Sequence, residues 1–374
     1  MEVLILSQNL LHNLREFQSA NSSCKIAPVL KSNAYGHGLI GVAKIFDLST
    51  IRLRRSYGAG GQNVPFLVVD SYYEAVILRN EGIKSNILII GHTRRENLYK
   101  NDLKNIAFTI NSLDELKEIS ANLRRETNFH IKIDTGMHRN GILTDELNDA
   151  VAFIKINGNI VIEGICSHLA DADGKNMAFT LEQIKKWNEV AEKWYKNFPD
   201  TKYFHLSATA GAHYSDYINA NVMRIGLGLY GISARKLKNV NLKPALEMRS
   251  IVSSIKKIKK GDKVGYNVSF EAKHDMKIAT VPVGYYEGVD RRLSNKGSVI
   301  IREKFCDIIG TVSMNVISVD ISDLSDVKNG DEVVIISSKA NDKNSVQNIS
   351  ELCDTIPYEI LVHIPERLKR VVAD

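Results

Sequence analysis

Through the first 235 or so residues, short β-branched runs alternate with longer stretches in which apolar positions recur every three or four residues. The strand-like runs fall at 26–30, 65–70, 86–90, 106–110, 130–134, 160–167, 203–207 and 222–226, eight in all. Between them lie helical patterns such as 112–123, which opens on a Ser-x-x-Glu signature at Ser112 and Glu115, and 179–198. Eight strand–helix units predict an α/β fold built on a (β/α)8 TIM-type barrel, whose chemistry lies at the C-terminal ends of the strands. A doubly wound open sheet is the alternative. After residue 235 the texture changes to closely spaced short strands, for example 316–322 and 331–337, punctuated by Gly-Asp pairs at 261–262 and 330–331. The chain therefore divides into a barrel over 1–235 and a C-terminal, mainly β domain over 236–374. The first ten residues are compatible with packing on the β domain. The polar, basic and Gly-rich segment 48–63 reads as a long loop.

With 374 residues the chain exceeds one small domain. Its 44% hydrophobic and 25% charged residues leave no room for long disorder. A net charge of +6 comes from basic residues scattered among acidic ones, which suits small anionic ligands and lacks the basic stripe of a nucleic-acid surface. Cys24, Cys166, Cys306 and Cys353 show neither CxxC nor metal-ligand spacing, so reduced thiols, no metal and a cytoplasmic location are expected. No signal-peptide pattern and no membrane-length apolar run is visible, so no membrane partner is expected.

Several polar residues sit where strands end. Lys31 closes an apolar strand and precedes a Gly-flanked turn in VLKSNAYGHG. Desolvation there disfavours the ammonium and frees an amine for Schiff-base chemistry; alternatively the lysine simply snorkels outward. HIKIDTGMHRNG ends another strand with Lys132, Asp134 and Arg139, which suits either an anion site or a plain Asp134–Arg139 surface pair. SHLADAD and HLSATAGA follow the sixth and seventh strands, and MRIGLGLYG the eighth, bringing His168, Thr209, Arg224, Gly226 and Leu227 to loop positions. In the second domain, GDKVGYNVSF places Tyr266 in a strand region, where packing is its default role.

In that order, these motifs resemble those of the alanine racemase family of fold-type III pyridoxal-phosphate (PLP) enzymes, and the resemblance covers nearly the whole chain outside 48–63. It implies that Lys31 holds PLP covalently, that Tyr35 and Thr209 bind the cofactor phosphate with amides of Gly226 and Leu227, and that His37 supports the site. His168 then lies near the pyridine ring, and Arg224 partners the ring nitrogen. Arginine stays protonated and cannot give that nitrogen a proton, so the ring is a weaker electron sink and return of the proton to Cα is favoured over transamination. By the same resemblance Arg139 meets the substrate carboxylate and the cofactor's phenolic oxygen, and Lys132 is the position of an N6-carboxylysine that orients it. Tyr285 and Met314, in VGYYEGVDRRLSN and GTVSMNVISVD, lie near the substrate entrance. Ala208 and Asn315 replace the family's usual Asn and Asp.

The implied activity is interconversion of L- and D-alanine, with Lys31 and Tyr266 as bases on opposite faces of Cα. One group cannot easily reach both faces. Tyrosine is a poor base at its ordinary pKa and needs support, for which His168 and Arg224 are candidates. The family's head-to-tail homodimer brings Tyr266 from the partner subunit. A serine or broader-specificity racemase of the same fold is the alternative, distinguished by the width of the entrance. The small PLP-homeostasis proteins share the barrel but lack a second domain.

Overall fold

Eight short strands, most of their residues buried, close into a ring of parallel neighbours. In the computed structural model these are Lys25–Pro28, Leu67–Val69, Ile87–Ile89, Ile106–Ile110, Asn128–Asp134, Val161–Cys166, Tyr203–His205 and Val222–Ile225. It describes residues 1–374 except 57–63, 158–159, 175 and 236, and for 48–56 only the helical backbone. Successive strands pair in parallel from Leu67–Val69 to Tyr203–His205. The ring closes through Val222–Ile225 on Lys25–Pro28, the Val29–Val68 bridge, and the Arg224 amide donating to the Ser207 carbonyl at 3.0 Å. All five residues of Ile106–Ile110 are buried, which is why such strands read as unbroken apolar runs. The barrel expected from the sequence is present, strand for strand.

One helix is displaced relative to that expectation. The eighth strand leads only into a 3-10 turn, Leu227–Tyr230, and the N-terminal helix Ser7–Ala20 covers it instead. Asn13 donates to the Leu229 carbonyl at 3.0 Å, and a Cβ on Gly228 would lie 2.6 Å from the Phe17 ring. At 112 the Ser112 hydroxyl accepts from the Glu115 amide as the signature predicts, while the Glu115 carboxylate reaches back to the Asn111 amide.

The loop expected at 48–63 is overturned for its first part, because the helix Leu39–Ser56 runs through it. No Gly or Pro occurs between Gly41 and Gly58, and Leu, Arg and Ser extend a helix readily. Residues 57–63 lie outside the described residues.

Beyond the barrel, a nine-stranded sheet forms the second domain, with two short helices, Val346–Leu352 and Pro357–Val362. The first strand of the chain, Glu2–Leu6, belongs to this sheet, antiparallel to Leu246–Ile251 and parallel to Arg370–Ala373. Among the described residues no helix is long and apolar enough to cross a membrane.

The two domains meet at a turn of unusual hand. Ser32, Asn33, Ala34 and Tyr35 all have φ between 52° and 55°, a left-handed turn immediately after Lys31. Each such residue costs on the order of 1–2 kcal/mol. The cost is offset from several sides: the Ser32 amide donates to Glu74 Oε1 at 2.8 Å, the Leu39 amide to Asn33 Oδ1 at 2.8 Å, and the Ala34 amide to the Leu30 carbonyl at 2.8 Å. Gly36, at φ 77°, is packed so tightly on the second domain that a Cβ would lie 2.0 Å from the Leu361 carbonyl oxygen. From the last strand of the chain, Arg370 donates to the Gly36 carbonyl through Nε at 2.9 Å and Nη2 at 2.7 Å. Arg370→Ala should therefore lower stability in denaturant unfolding by roughly 2–4 kcal/mol, with only partial recovery in Arg370→Lys, which lacks the planar fork. A loss below about 1 kcal/mol would show that this clamp does not hold the turn.

Candidate active site

At the C-terminal mouth of the barrel lies a cavity of about 330 Å³. Into it the structure brings Lys31 and Tyr35 from the left-handed turn, Lys132 from the end of its strand, and Arg139 from the turn beyond. His168, Thr209, Arg224, Gly226 and Leu227 complete the set of expected barrel residues that line it. Tyr35 is buried against Tyr230 at 5.0 Å between ring centroids, and Tyr230 is fixed by donating to the Val29 carbonyl at 2.8 Å. Gly226 permits the close approach of the Tyr35 hydroxyl, since a Cβ there would sit 2.4 Å from it. Thr209 accepts from the Gly228 amide at 3.0 Å, tying the loop after the seventh strand to the Gly-rich turn after the eighth.

Of the cations lining the cavity, Arg224 is the most tightly held. Its Nη1 donates to the His205 carbonyl at 2.9 Å and to His205 Nδ1, and its Nη2 donates to the Ser167 carbonyl at 2.7 Å and the Leu206 carbonyl at 3.2 Å, with His168 Nδ1 3.3 Å away. Among the described residues Nε has no partner, so one donor of a buried guanidinium is left for the cavity. Burial lowers the pKa of Arg224 from its ordinary value. Burial, followed by the charges of Arg224, Arg139, Lys132 and Lys31, pushes His168 down to about 3. His168 is thus a neutral imidazole among cations.

Lys132 is lowered by burial, with the Arg139 and Arg224 charges adding to the effect, and donates to Asn140 Oδ1. Asp134 does not pair with Arg139. Its Oδ1 accepts from the amides of Gly136, Met137 and His138 at 2.8, 2.9 and 3.1 Å and so shapes the turn that carries the arginine. His37 is fully buried behind Tyr35, whose carbonyl it meets through Nδ1 at 2.9 Å, and burial pushes it down to about 4.

Sequence reasoning missed Tyr358, which reaches the cavity from the second domain's helix Pro357–Val362 and lies 5.8 Å from the Tyr35 ring. It also missed Asp70, Gly91 and Thr109, at the ends of the second, third and fourth strands. The strand-end rule alone would have found these last three, whereas a six-residue helix carries no periodic signal.

Tyr266, Tyr285 and Met314 do not line this cavity. They lie on the second domain, 70%, 44% and 53% exposed, with Val268 and Tyr286 exposed beside them. The segment after Gly310 knits the patch together: Thr311 donates to the Tyr266 carbonyl at 3.1 Å, and the Tyr285 and Tyr286 amides donate to the Ser313 and Met314 carbonyls. Asn315 and Arg367 both donate to Glu287 Oε1, at 2.8 and 2.9 Å, so the amide serves a carboxylate that an Asp would repel. Val268, β-branched, is held at φ 52°, which makes the Tyr266 loop a strained one.

Residues 5–234 match the family model for the alanine racemase N-terminal domain, and residues 245–372 that for the alanine racemase C-terminal domain. The chain is 32% identical over 368 residues to alanine racemase 1 of Caldanaerobacter subterraneus subsp. tengcongensis, covering 96% of this chain and 91% of that protein. It is 34% identical over 357 residues to alanine racemase of Halothermothrix orenii, covering 93% and 90%. Among solved structures, alanine racemase of Clostridium difficile 630 superposes with a TM-score of 0.87 at 28% identity, covering 100% of this chain and 95% of that one. The Bacillus anthracis alanine racemase with bound L-Ala-P gives 0.85 at 28% identity, covering 100% and 95%.

The neutral buried histidines have a measurable consequence. His37 and His168 have folded-state values below the unfolded one, so between them the unfolded chain binds more protons and stability falls as pH drops. Each should remove about 1.4 kcal/mol between about pH 7.5 and pH 5.5, the window set by the unfolded value near 6.5. Denaturant unfolding of wild type and of His37→Asn checks this: the variant should show the shallower dependence, and equal slopes would contradict a neutral buried His37.

Proposed function

The chain belongs to the alanine racemase family, and we propose that its barrel cavity takes pyridoxal 5'-phosphate and that Lys31 and Tyr266 exchange the Cα proton of alanine. The reaction is the isomerisation of L- and D-alanine, which in this family supplies D-alanine for peptidoglycan. The observation that carries the reading is that Lys31 and the fixed guanidinium of Arg224 face one cavity. A phosphorylated, planar pyridine fits these residues: a cation-lined mouth for its charge, a buried arginine with one spare donor for its ring nitrogen, and a tyrosine hydroxyl over a glycine turn for its phosphate.

When bound, the cofactor draws electrons from Cα and so allows its C–H bond to ionise. Lys31 anchors it covalently. Tyr35, Thr209 and the Gly226 and Leu227 amides receive its phosphate, and Arg139 orients the substrate carboxylate by its planar fork. Arg224 stays cationic and withholds a proton from the ring nitrogen, which keeps proton return at Cα the favoured outcome. A neutral fraction of the Lys132 amine adds carbon dioxide and releases a proton, and the resulting carbamate takes its place beside Arg139 instead of a second cation.

Tyr266 is too exposed to be useful within its own chain, and its strained loop sits in an apolar patch. A second copy of the chain covering that patch supplies both burial and the missing proton carrier. Tyr285 and Met314 then border the substrate's entrance in the homodimer. Lys31 and Tyr266 of the partner subunit hold the proton on the two faces of Cα.

The test begins with cofactor loading. Wild type should show a visible absorbance that borohydride abolishes, with the added mass on Lys31; a colourless chain that takes up no cofactor contradicts the reading. Separately inactive Lys31→Ala and Tyr266→Phe chains, mixed in equal amounts, should recover about a quarter of wild-type activity, since half the dimers are mixed and each has one intact site. Demonstrated mixed dimers without activity would contradict a shared site.

A further inference from the structure

Behind Arg224, on the barrel's interior, a file of polar side chains crosses three consecutive strands and is unused by the reaction as described. His205 Nδ1 is hydrogen-bonded to Arg224 Nη1, and His205 Nε2 lies 2.6 Å from His130 Nδ1. Among the described residues His130 Nε2 has no hydrogen-bond partner, and it faces Glu163 Oε2 at 3.9 Å. Both imidazoles are wholly buried, and Glu163 is mostly so. Gly164 makes the arrangement possible, because a Cβ there would sit 2.7 Å from His130 Nδ1.

Donor and acceptor inventories fix the protons. A guanidinium can only donate, so His205 Nδ1 must accept, and the proton of His205 resides on Nε2. That N–H donates to His130 Nδ1, so His130 carries its proton on Nε2, toward Glu163. Were His130 an imidazolium, its Nδ1–H would require both nitrogens of His205 to accept, which means an imidazole stripped of its proton. His130 is therefore neutral despite the nearby carboxylate, in agreement with the lowering that burial imposes on both rings. Glu163 is held below the ordinary carboxylate range by His130, together with the Lys202 ammonium 3.5 Å away.

The geometry points to Glu163, His130 and His205 as positioning residues for Arg224: a one-way file of donors, its last N–H directed at a carboxylate 3.9 Å away, that fixes both imidazoles as Nε2–H tautomers and turns the guanidinium so that Nε faces the cavity. This rests on the reading that Arg224 partners the cofactor's ring nitrogen. The file lets the most buried cation of the cavity keep a single orientation, since a histidine free to change tautomer would offer it a competing N–H.

The test uses 15N-histidine-labelled protein, with and without PLP, with His130 and His205 assigned by loss of their signals in His130→Gln and His205→Gln. Both should appear as neutral Nε2–H imidazoles, unchanged from about pH 6 to about pH 9. A proton on Nδ1 of either, or titration of either in that range, overturns the proposal. In the holoenzyme, Glu163→Gln, which keeps an acceptor, should change PLP affinity by less than about threefold, and Glu163→Leu should weaken it about tenfold with the alanine KM within about twofold. Wild-type PLP affinity in a folded Glu163→Leu would also overturn it; if that variant does not fold, the tautomers decide alone. The visible absorption maximum of Arg224→Lys tests the underlying reading separately. An unmoved maximum removes the ring-nitrogen contact, while the tautomers, read also without PLP, still report on the file.

Discussion

Everything at the mouth of this barrel depends on a left-handed turn of four non-glycine residues. Ser32 to Tyr35 are held where each is individually unfavourable. The turn places the amine of Lys31 and the ring of Tyr35 in one cavity within five residues of each other. It persists because groups from distant parts of the chain over-determine it: Glu74 from the next strand–helix unit, Asn33 within the turn, and Arg370 and Leu361 from the second domain. The second domain is thus part of the reason the barrel's lysine points where it does. Its own sheet is completed by the chain's first strand, so both ends of the sequence brace the turn.

The cavity is electrostatically incomplete by itself. Lys31, Lys132, Arg139 and Arg224 converge on it, and the histidine among them is kept neutral. Partly buried like charges oppose folding, and an anionic ligand removes that opposition by binding the native state alone. A site of this kind gains stability on loading. The same logic disfavours the ammonium of Lys132, which burial and the Arg139 charge both lower; the proposed carbamate there would convert a repulsive neighbour of Arg139 into an attractive one.

Much of this was legible in the sequence because barrel strands, buried on both faces, leave contiguous apolar runs, and because functional side chains collect at strand ends. Lys31 and Lys132 stand out at strand ends, His168 and Arg224 through the resemblance, and all four line the cavity. What escaped has physical causes. Residues 48–56 look like loop by polarity, yet without Gly or Pro they continue a helix. Tyr358 comes from a helix too short to show a period. The covering of the eighth strand by the helix Ser7–Ala20 is a contact between the two ends of the barrel sequence, invisible to any local pattern. His130 and Glu163 lie inside strands, where they resemble ordinary satisfied polar residues until three-dimensional spacing orders their protons.

In the proposed reaction two residues divide the work at Cα from opposite faces, Lys31 within the cavity and Tyr266 on an exposed loop brought by a second copy. Exchange of the α-hydrogen with deuterated water in Tyr266→Phe measures this most directly, because phenylalanine keeps the ring and removes only the oxygen that carries the proton. One enantiomer of alanine should continue to exchange through Lys31 while the other becomes nearly inert. Equal exchange of both enantiomers would contradict the division.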